Sequence, residues 1–409
     1  MRGLLIVLCY FCCVDGYTIQ DQTQLHTNLT PRYDRRVRPG IDRTTPLQID
    51  IKFFLTSLKD FSEGLSKIGI VGSLSLQWTD SRLAWNPTNY GGDLYDTTLF
   101  ISDIWVPFLV LMNPYDKFRK VLLDGMSCKV SSKGEVSCSP PDLYETTCDA
   151  DVTYYPFDSQ TCTLKFYVPA LSPSDIILRP RSSTFDMLLY EENGLWSLTS
   201  TRLYYHVNVY NFEELRLEIN MKRRTEYYIA GLILPICFMN FLQILVFVLP
   251  VESGERMGFS ITVLLAVAVF LTIIQDKLPE ASEPNVSYLT YKLLVDMLLG
   301  CAMMIAVVFG MNFYHKADDK EISARLKSFT RGVIMCRKRK ISTASIQKYG
   351  DTEKSAVECV NDDAGSDVAW TVTWNDVGLA FDRLFLILFV VLLVSNNLLY
   401  LVMMAVIGS

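Results

Sequence analysis

Charge is missing from four long stretches of this 409-residue chain. No Asp, Glu, Lys or Arg occurs in Tyr227–Val251, Met257–Gln275, Met297–His315 or from Leu384 to the C-terminus. A hydrocarbon core needs about 20 apolar residues of helix to cross it. Only helices and closed barrels satisfy their backbone polar groups there. Runs this long exclude a chain that is soluble throughout, and four spanning helices follow, the third extended backward through Leu293 and Leu294. The sequence also lacks a nucleophile–base pair, a metal-ligand cluster and a phosphate-binding loop, so it offers no enzyme chemistry and implies no cofactor and no metal.

What is present begins with a secretory signal over residues 1–16. Arg2 supplies the positive end, Leu4–Val14 the apolar segment, and Val14-Asp15-Gly16 the small-residue cleavage site. Residues 17–225 are therefore expected outside the cell. Of 11 cysteines, Cys9, Cys12 and Cys13 fall in the signal, Cys237 and Cys301 in membrane helices, and Cys336 and Cys359 on the reducing side. Cys128, Cys138, Cys148 and Cys162 remain in the oxidising compartment, an even number, as disulfides require. Four cysteines allow three connectivities. A hairpin turning near Lys133 sets Cys128 opposite Cys138 and favours that bridge together with Cys148–Cys162.

From Leu47 the pattern has period two: Leu47, Ile49, Ile51, Phe53 and Leu55 alternate with Gln48, Asp50, Lys52 and Phe54. Leu74, Leu76 and Trp78 repeat it. Short alternating stretches broken by turn residues continue to about Met221, which reads as an antiparallel β-sandwich. Residues 17–45 are polar and carry the sequon Asn28-Leu29-Thr30. Membrane helices one to three occupy 226–315. Residues 316–381 form a cytoplasmic loop, assigned by the Arg337-Lys338-Arg339-Lys340 block, with little to bury. It ends in an amphipathic helix that runs into the fourth membrane helix at 382–409. Acidic residues nearly balance that basic block, and it lies between membrane helices, so no nucleic-acid partner is expected.

Several motifs then converge. Cys148 and Cys162 enclose a segment with Tyr155-Pro156-Phe157-Asp158 at its centre, which resembles the signature loop of the Cys-loop receptor family. Tyr33-Asp34-Arg35-Arg36-Val37-Arg38-Pro39, Trp78-Thr79-Asp80 with Leu83 and Trp85, and Ile104-Trp105-Val106-Pro107 resemble other motifs of that family. So do Arg223-Arg224-Thr225 with Tyr227, Tyr228 and Pro235, and Asp382-Arg383-Leu384-Phe385. The resemblance covers nearly the whole chain. It implies a β + α membrane protein: an extracellular antiparallel β-sandwich followed by a four-helix transmembrane bundle in the plasma membrane, assembled as a homo- or hetero-pentamer. It also implies coupling through Tyr155, Pro156 and Phe157, which would meet Lys277-Leu278-Pro279, with Arg224 at the junction.

Gly258, Thr262, Leu265, Val269, Thr272 and Asp276 recur at steps of four and three, which places them on one helix face. In a five-fold assembly that face would line a channel. Glu255 and Asp276 would form carboxylate rings at its two ends and favour permeant cations. The resemblance agrees, because cation channels of the family carry Gly-Glu-Arg where this chain has Gly254-Glu255-Arg256. Leu265 matches the family's central pore leucine.

The ligand site departs from the family. The nicotinic aromatic cage holds a quaternary ammonium by cation–π attraction. Its positions fall here on Tyr205, Phe212, Met112, Pro169 and Ser73, with Phe108 for the usual Asp and Val207 and Asn208 for the vicinal cysteines. A proline and a serine present no π face. The expectation is a channel subunit opened by a small-molecule agonist other than acetylcholine in the usual mode. The alternative is a non-conducting or ligand-insensitive partner subunit, or a binding scaffold. Membrane lipid surrounds the helices in either case. His206 stands beside Tyr205.

Overall fold

The computed structural model describes residues 16–40, 42, 44–123, 125–169, 171–207, 213–251, 254–276, 278, 286–316, 321–333 and 372–407. The expectations for the signal, Phe212, Asn208, Pro279, Cys336, Cys359 and the basic block at 337–340 lie outside them. The chain divides into two units, residues 1–151 with 159–224, and residues 152–158 with 225–409.

The first unit is a β-sandwich. One sheet runs β3 (Asp96–Phe100), β5 (Ser127–Ser131), β6 (Glu135–Cys138), β2 (Lys67–Thr79), β1 (Leu47–Ser62), β9 (Ile176–Pro180), with β7 (Pro141–Thr147) also paired to β2. The other runs β10 (Trp196–Val207), β11 (Glu213–Arg223), β8 (Ser159–Tyr167), β4 (Val110–Leu111). Period-two burial places Ile49, Ile51, Phe53, Leu74 and Leu76 on the inner face of the first sheet, and Leu164, Phe166, Leu215 and Leu217 on that of the second. Phe53, Tyr144 and Phe166 join the layers edge to face, at centroid distances of 5.9 and 5.6 Å.

The sandwich is antiparallel as expected, with one parallel strand pair added. β1 and β9 pair in parallel, Leu47 with Ile176 through Ile51 with Pro180, and the chain between them is long enough for such a crossover. Residues 17–45 also hold a helix, Ile19–Leu29, that their polarity hid. Thr18 and Asp21 form a capping box, and Leu25 is fully buried against Tyr90 and Leu94.

The motif residues act locally as one knot. Tyr33 donates its hydroxyl to the buried Asp80 at 2.6 Å and accepts from the Trp105 amide at 2.9 Å. Arg82 reaches Asp80 at 2.7 Å and lies 4.4 Å over the Tyr33 ring. Burial and the Asp80 carboxylate push the Tyr33 phenol well above the ordinary tyrosine value, so it stays a donor.

Among its described residues the second unit holds four helices long and apolar enough to cross a membrane, Glu226–Leu245, Arg256–Gln275, Tyr288–Tyr314 and Trp374–Met404. The first has a π-helical turn at Ile229–Ile233 just before Pro235, whose missing N–H breaks the regular ladder. The third begins at Tyr288, more than a turn before the uncharged run, so Lys292 and Asp296 lie inside it. They are buried as an ion pair. Asn240 of the first helix (3.1 Å) and Asn396 of the fourth (2.7 Å) complete the Asp296 carboxylate. A charged pair is tolerated at this depth because each polar group finds a partner on a neighbouring helix. The fourth helix begins at Trp374 without a break at Asp382.

Candidate functional site

The second membrane helix has two faces. Arg256, Ser260, Val263, Val267 and Ile274 are buried in the bundle of their own chain. Glu255, Gly258, Thr262, Leu265, Val269, Thr272 and Asp276 are all exposed, Leu265 at 63% and Val269 at 48%. An apolar helix of this kind ordinarily exposes a ring of similar residues to lipid. This one exposes small, hydroxylated and acidic side chains in line with Leu265 and Val269, flanked by the exposed Ile261 and Ile273.

The hydroxyl geometry is specific. Thr262 donates to the Gly258 carbonyl and Thr272 to the Val269 carbonyl, each at 2.8 Å. With the hydroxyl proton spent on the backbone, the oxygen presents lone pairs to whatever lies on that face.

Arg256 would cancel Glu255 if its guanidinium shared the exposed face. It does not. It is 3% exposed and pairs with Asp382 of the fourth helix at 2.8 Å, while also donating to the Leu249 and Phe247 carbonyls.

The tip of the disulfide loop, Val152–Asp158, groups with the helices. Cys148 is bonded to Cys162, with Cα atoms 5.4 Å apart, and Cys128 to Cys138 at 4.6 Å. Tyr155 and Pro156 are buried and Phe157 is half-buried. The Tyr155 ring meets that of Tyr228 at the start of the first membrane helix, centroids 5.6 Å apart. Tyr154 meets Tyr288 at 5.6 Å, and the Tyr288 amide donates to the Thr153 carbonyl at 3.0 Å. The loop thus touches the first turn of two membrane helices.

At the β-unit end, Arg224 pairs with Glu192 in an exposed position, at 2.6 Å. Its neighbour Arg223 is the buried cation. It pairs with Glu63 and lies 4.3 Å over the Trp196 ring. The motif signalled two arginines, and only the strand register of β11, which turns Arg223 inward, tells them apart.

The five expected ligand positions separate. Register places Leu111, Phe166, Leu215 and Tyr205 in one row across the second sheet. Met112 and Pro169 fall on opposite sides of that row: Met112 lies across from Lys165, and Pro169 lies beyond Tyr167 in the other direction along the antiparallel pair. Ser73 sits on β2 of the other sheet, its hydroxyl buried. Tyr205 does not pack outward: it continues the face of Leu203 and Leu215. His206 lies on the opposite face, across from Glu214. Asn28 is exposed at the end of its helix and donates to the Tyr90 hydroxyl at 3.1 Å. Among the described residues no three His, Cys, Asp or Glu side chains converge as a metal site.

Two family descriptions match the chain. The neurotransmitter-gated ion-channel ligand binding domain matches residues 22–225, and the neurotransmitter-gated ion-channel transmembrane region matches residues 232–363. The chain is similar to acetylcholine receptor subunit beta of Xenopus laevis, 29% identical over 312 residues, which is 74% of this chain and 63% of that subunit. It is similar to subunit alpha-1-A of the same organism, 27% identical over 329 residues, or 78% and 70% of the two chains. Subunit beta of Rattus norvegicus is 30% identical over 311 residues, 72% of this chain and 62% of that subunit. The chain therefore spans just under two thirds of the length of both beta subunits.

Proposed function

The chain belongs to the neurotransmitter-gated ion-channel family, and on that premise we propose that it is a pore-forming subunit of a pentameric, cation-selective channel in the plasma membrane, opened by a small molecule. The observation that carries this reading is the sorting of charge on the second membrane helix. Glu255 and Asp276 stay on the exposed face with the pore residues, while Arg256 is buried and neutralised by Asp382.

Five copies of that face would enclose a path about 30 Å long between the two carboxylate rings. The Glu255 ring lies at the narrow cytoplasmic end, where five like charges add, and Asp276 repeats the sign at the outer mouth. Thr262 and Thr272 offer oxygen lone pairs between them. Five copies of Leu265 close the path by excluding water. Ligand binding in the β-sandwich reaches the helices through Tyr155, Pro156 and Phe157, with Arg223, Arg224 and Glu63 at the base of β11.

The absent aromatic cage supports a second reading, in which the chain joins a heteromeric pentamer whose agonist face another subunit completes. Expression alone with current recording separates the two. In the homomer, Glu255→Gln is expected to weaken cation preference more than Asp276→Asn. Reversal potentials in ion-substituted solutions test it, and a potential that follows chloride in the unmodified channel refutes cation selectivity.

A further inference from the structure

Asp93 grips the main chain just ahead of the first helix. The Tyr17 amide donates to its Oδ1 at 2.6 Å. Its Oδ2 lies against Gly16, where a side-chain carbon would stand 3.3 Å from that oxygen. Gly91, in the same turn as Asp93, also packs on Tyr17. It has φ +74°, a conformation glycine adopts without strain, and a side-chain carbon there would meet the Tyr17 Cα at 2.7 Å. The turn thus holds backbone, and Tyr17 itself remains 46% exposed.

The helix that follows, Ile19–Leu29, has its own supports. Thr18 and Asp21 cap it, Leu25 is buried against Tyr90 and Leu94, and Gln22 and His26 meet the Thr97 hydroxyl at 3.1 and 2.8 Å. The Asp93 bond lies upstream of all of these and falls on one peptide unit, Gly16–Tyr17. That unit is also where the small-residue end of the expected secretory signal meets the polar segment. An exposed carboxylate on a neutral amide makes one modest hydrogen bond. On an ammonium the bond is charge-assisted, and two more N–H donors stand ready.

We propose that the chain is cut between Gly16 and Tyr17 and that Asp93 is the dock for the α-ammonium so made. A signal-cleaving protease adds water across the peptide bond. The Gly16 carbonyl carbon takes the hydroxyl and leaves as a carboxylate. The Tyr17 nitrogen keeps its own hydrogen, takes one from water and takes the carboxyl proton, and so becomes an ammonium near neutral pH. Oδ1 keeps its bond, and Oδ2, no longer covered by Gly16, is free to accept a second. The charged groups in contact with this stretch are both acidic: Asp93 from the turn, and Asp21 from the helix, which accepts from the Thr18 amide at 2.8 Å. Together they offset the positive pole of the helix, which opposes a cation at its N-terminal end. A chain cut at another bond would carry its ammonium away from Asp93 and leave a neutral amide there.

The test uses the full chain expressed in secretory cells and purified from their membranes. Mass spectrometry of the N-terminal peptide is expected to show Tyr17 as the first residue. Acetic anhydride then reports on the amine, because only the free base is acylated. At a pH of about 8 the Tyr17 amine should react about two- to fivefold more slowly than in Asp93→Asn, the range of an exposed ion pair. Salt at about 1 M should raise the unmodified protein to the rate of that variant, which tests the dock without any substitution. Asp96→Asn, three residues on and paired with Lys129 at 2.9 Å, should leave the rate unchanged. A first residue other than Tyr17 overturns both the cut and the dock. A chain that begins at Tyr17 but reacts at the same rate with and without Asp93, or at low and high salt, overturns the dock.

Discussion

Asp382 of the fourth membrane helix holds the guanidinium of Arg256, the first residue of the second, at 2.8 Å, with both side chains almost fully buried. The Leu249 and Phe247 carbonyls take further guanidinium protons. Gly310 of the third helix allows the approach, since a side-chain carbon there would meet the second Asp382 oxygen at 2.9 Å. Arg256 and Glu255 are adjacent, so in the proposed channel the side on which Arg256 is held would set the sign of the field at the Glu255 end.

Asp382→Asn is therefore expected to release Arg256 and to lower cation preference, although residue 382 never reaches the ion path. Breaking a buried pair from one side costs about 3–5 kcal/mol, so assembly will weaken too. The double change Arg256→Met with Asp382→Leu should restore assembly, because no charge is left unpaired. Size-exclusion profiles follow assembly, and reversal potentials follow selectivity.

Leu265→Thr should give current without agonist. The leucine lies about 15 Å along the helix from Glu255, on the exposed face, and in the proposed pentamer a ring of five would exclude water by apolar contact. Each 1.4 kcal/mol or so removed from the closed state is tenfold in the open-to-closed ratio, and five copies change at once. Resting current that an open-channel blocker does not suppress would contradict the placement.

The Lys292–Asp296 pair predicts a hierarchy of stability. Asp296 serves Lys292, Asn240 and Asn396 together. Asp296→Ala should cost about 3–5 kcal/mol by leaving a buried ammonium alone. Asn396→Ala removes one hydrogen bond between membrane helices and should cost about 0.6–2 kcal/mol. Thermal melting of the detergent-solubilised assembly ranks them, and equal effects would show that the cluster does not act through the carboxylate.

Much of the architecture was legible because it depends on period. Uncharged runs gave the four helices, and alternation from Leu47 gave the strand whose inner face is now buried. The hairpin register that set Cys128 opposite Cys138 agrees with the structure, where Lys129 pairs with Ser137. What stayed hidden depends on residues far apart in sequence. The parallel β1–β9 pair needs a partner more than a hundred positions away. Lys292 and Asp296 looked like the end of an apolar run because their charges cancel only inside the bundle. Asp382 read as one residue of a motif, and its contact with Arg256 spans 126 positions.

Acetylcholine is expected to be a poor agonist, and the reason is local chemistry. A quaternary ammonium gains about 0.5–2 kcal/mol from each ring that faces it. Three positions that would supply rings hold Pro169, Met112 and Ser73, and each loss is a factor of a few to about thirty in affinity. Tyr205 remains, and Ser73 presents a buried hydroxyl where a flat ring would stand. Responses should need millimolar acetylcholine or be absent. Ser73→Trp combined with Pro169→Trp should raise sensitivity about tenfold or more, because the rest of the sheet end, from Leu111 to Leu215, is framed by strand pairing that these changes leave intact. Concentration–response curves on the homomer decide it. A saturable micromolar response of the unmodified channel that disappears in Tyr205→Ala would mean that a cage exists which these residues do not form.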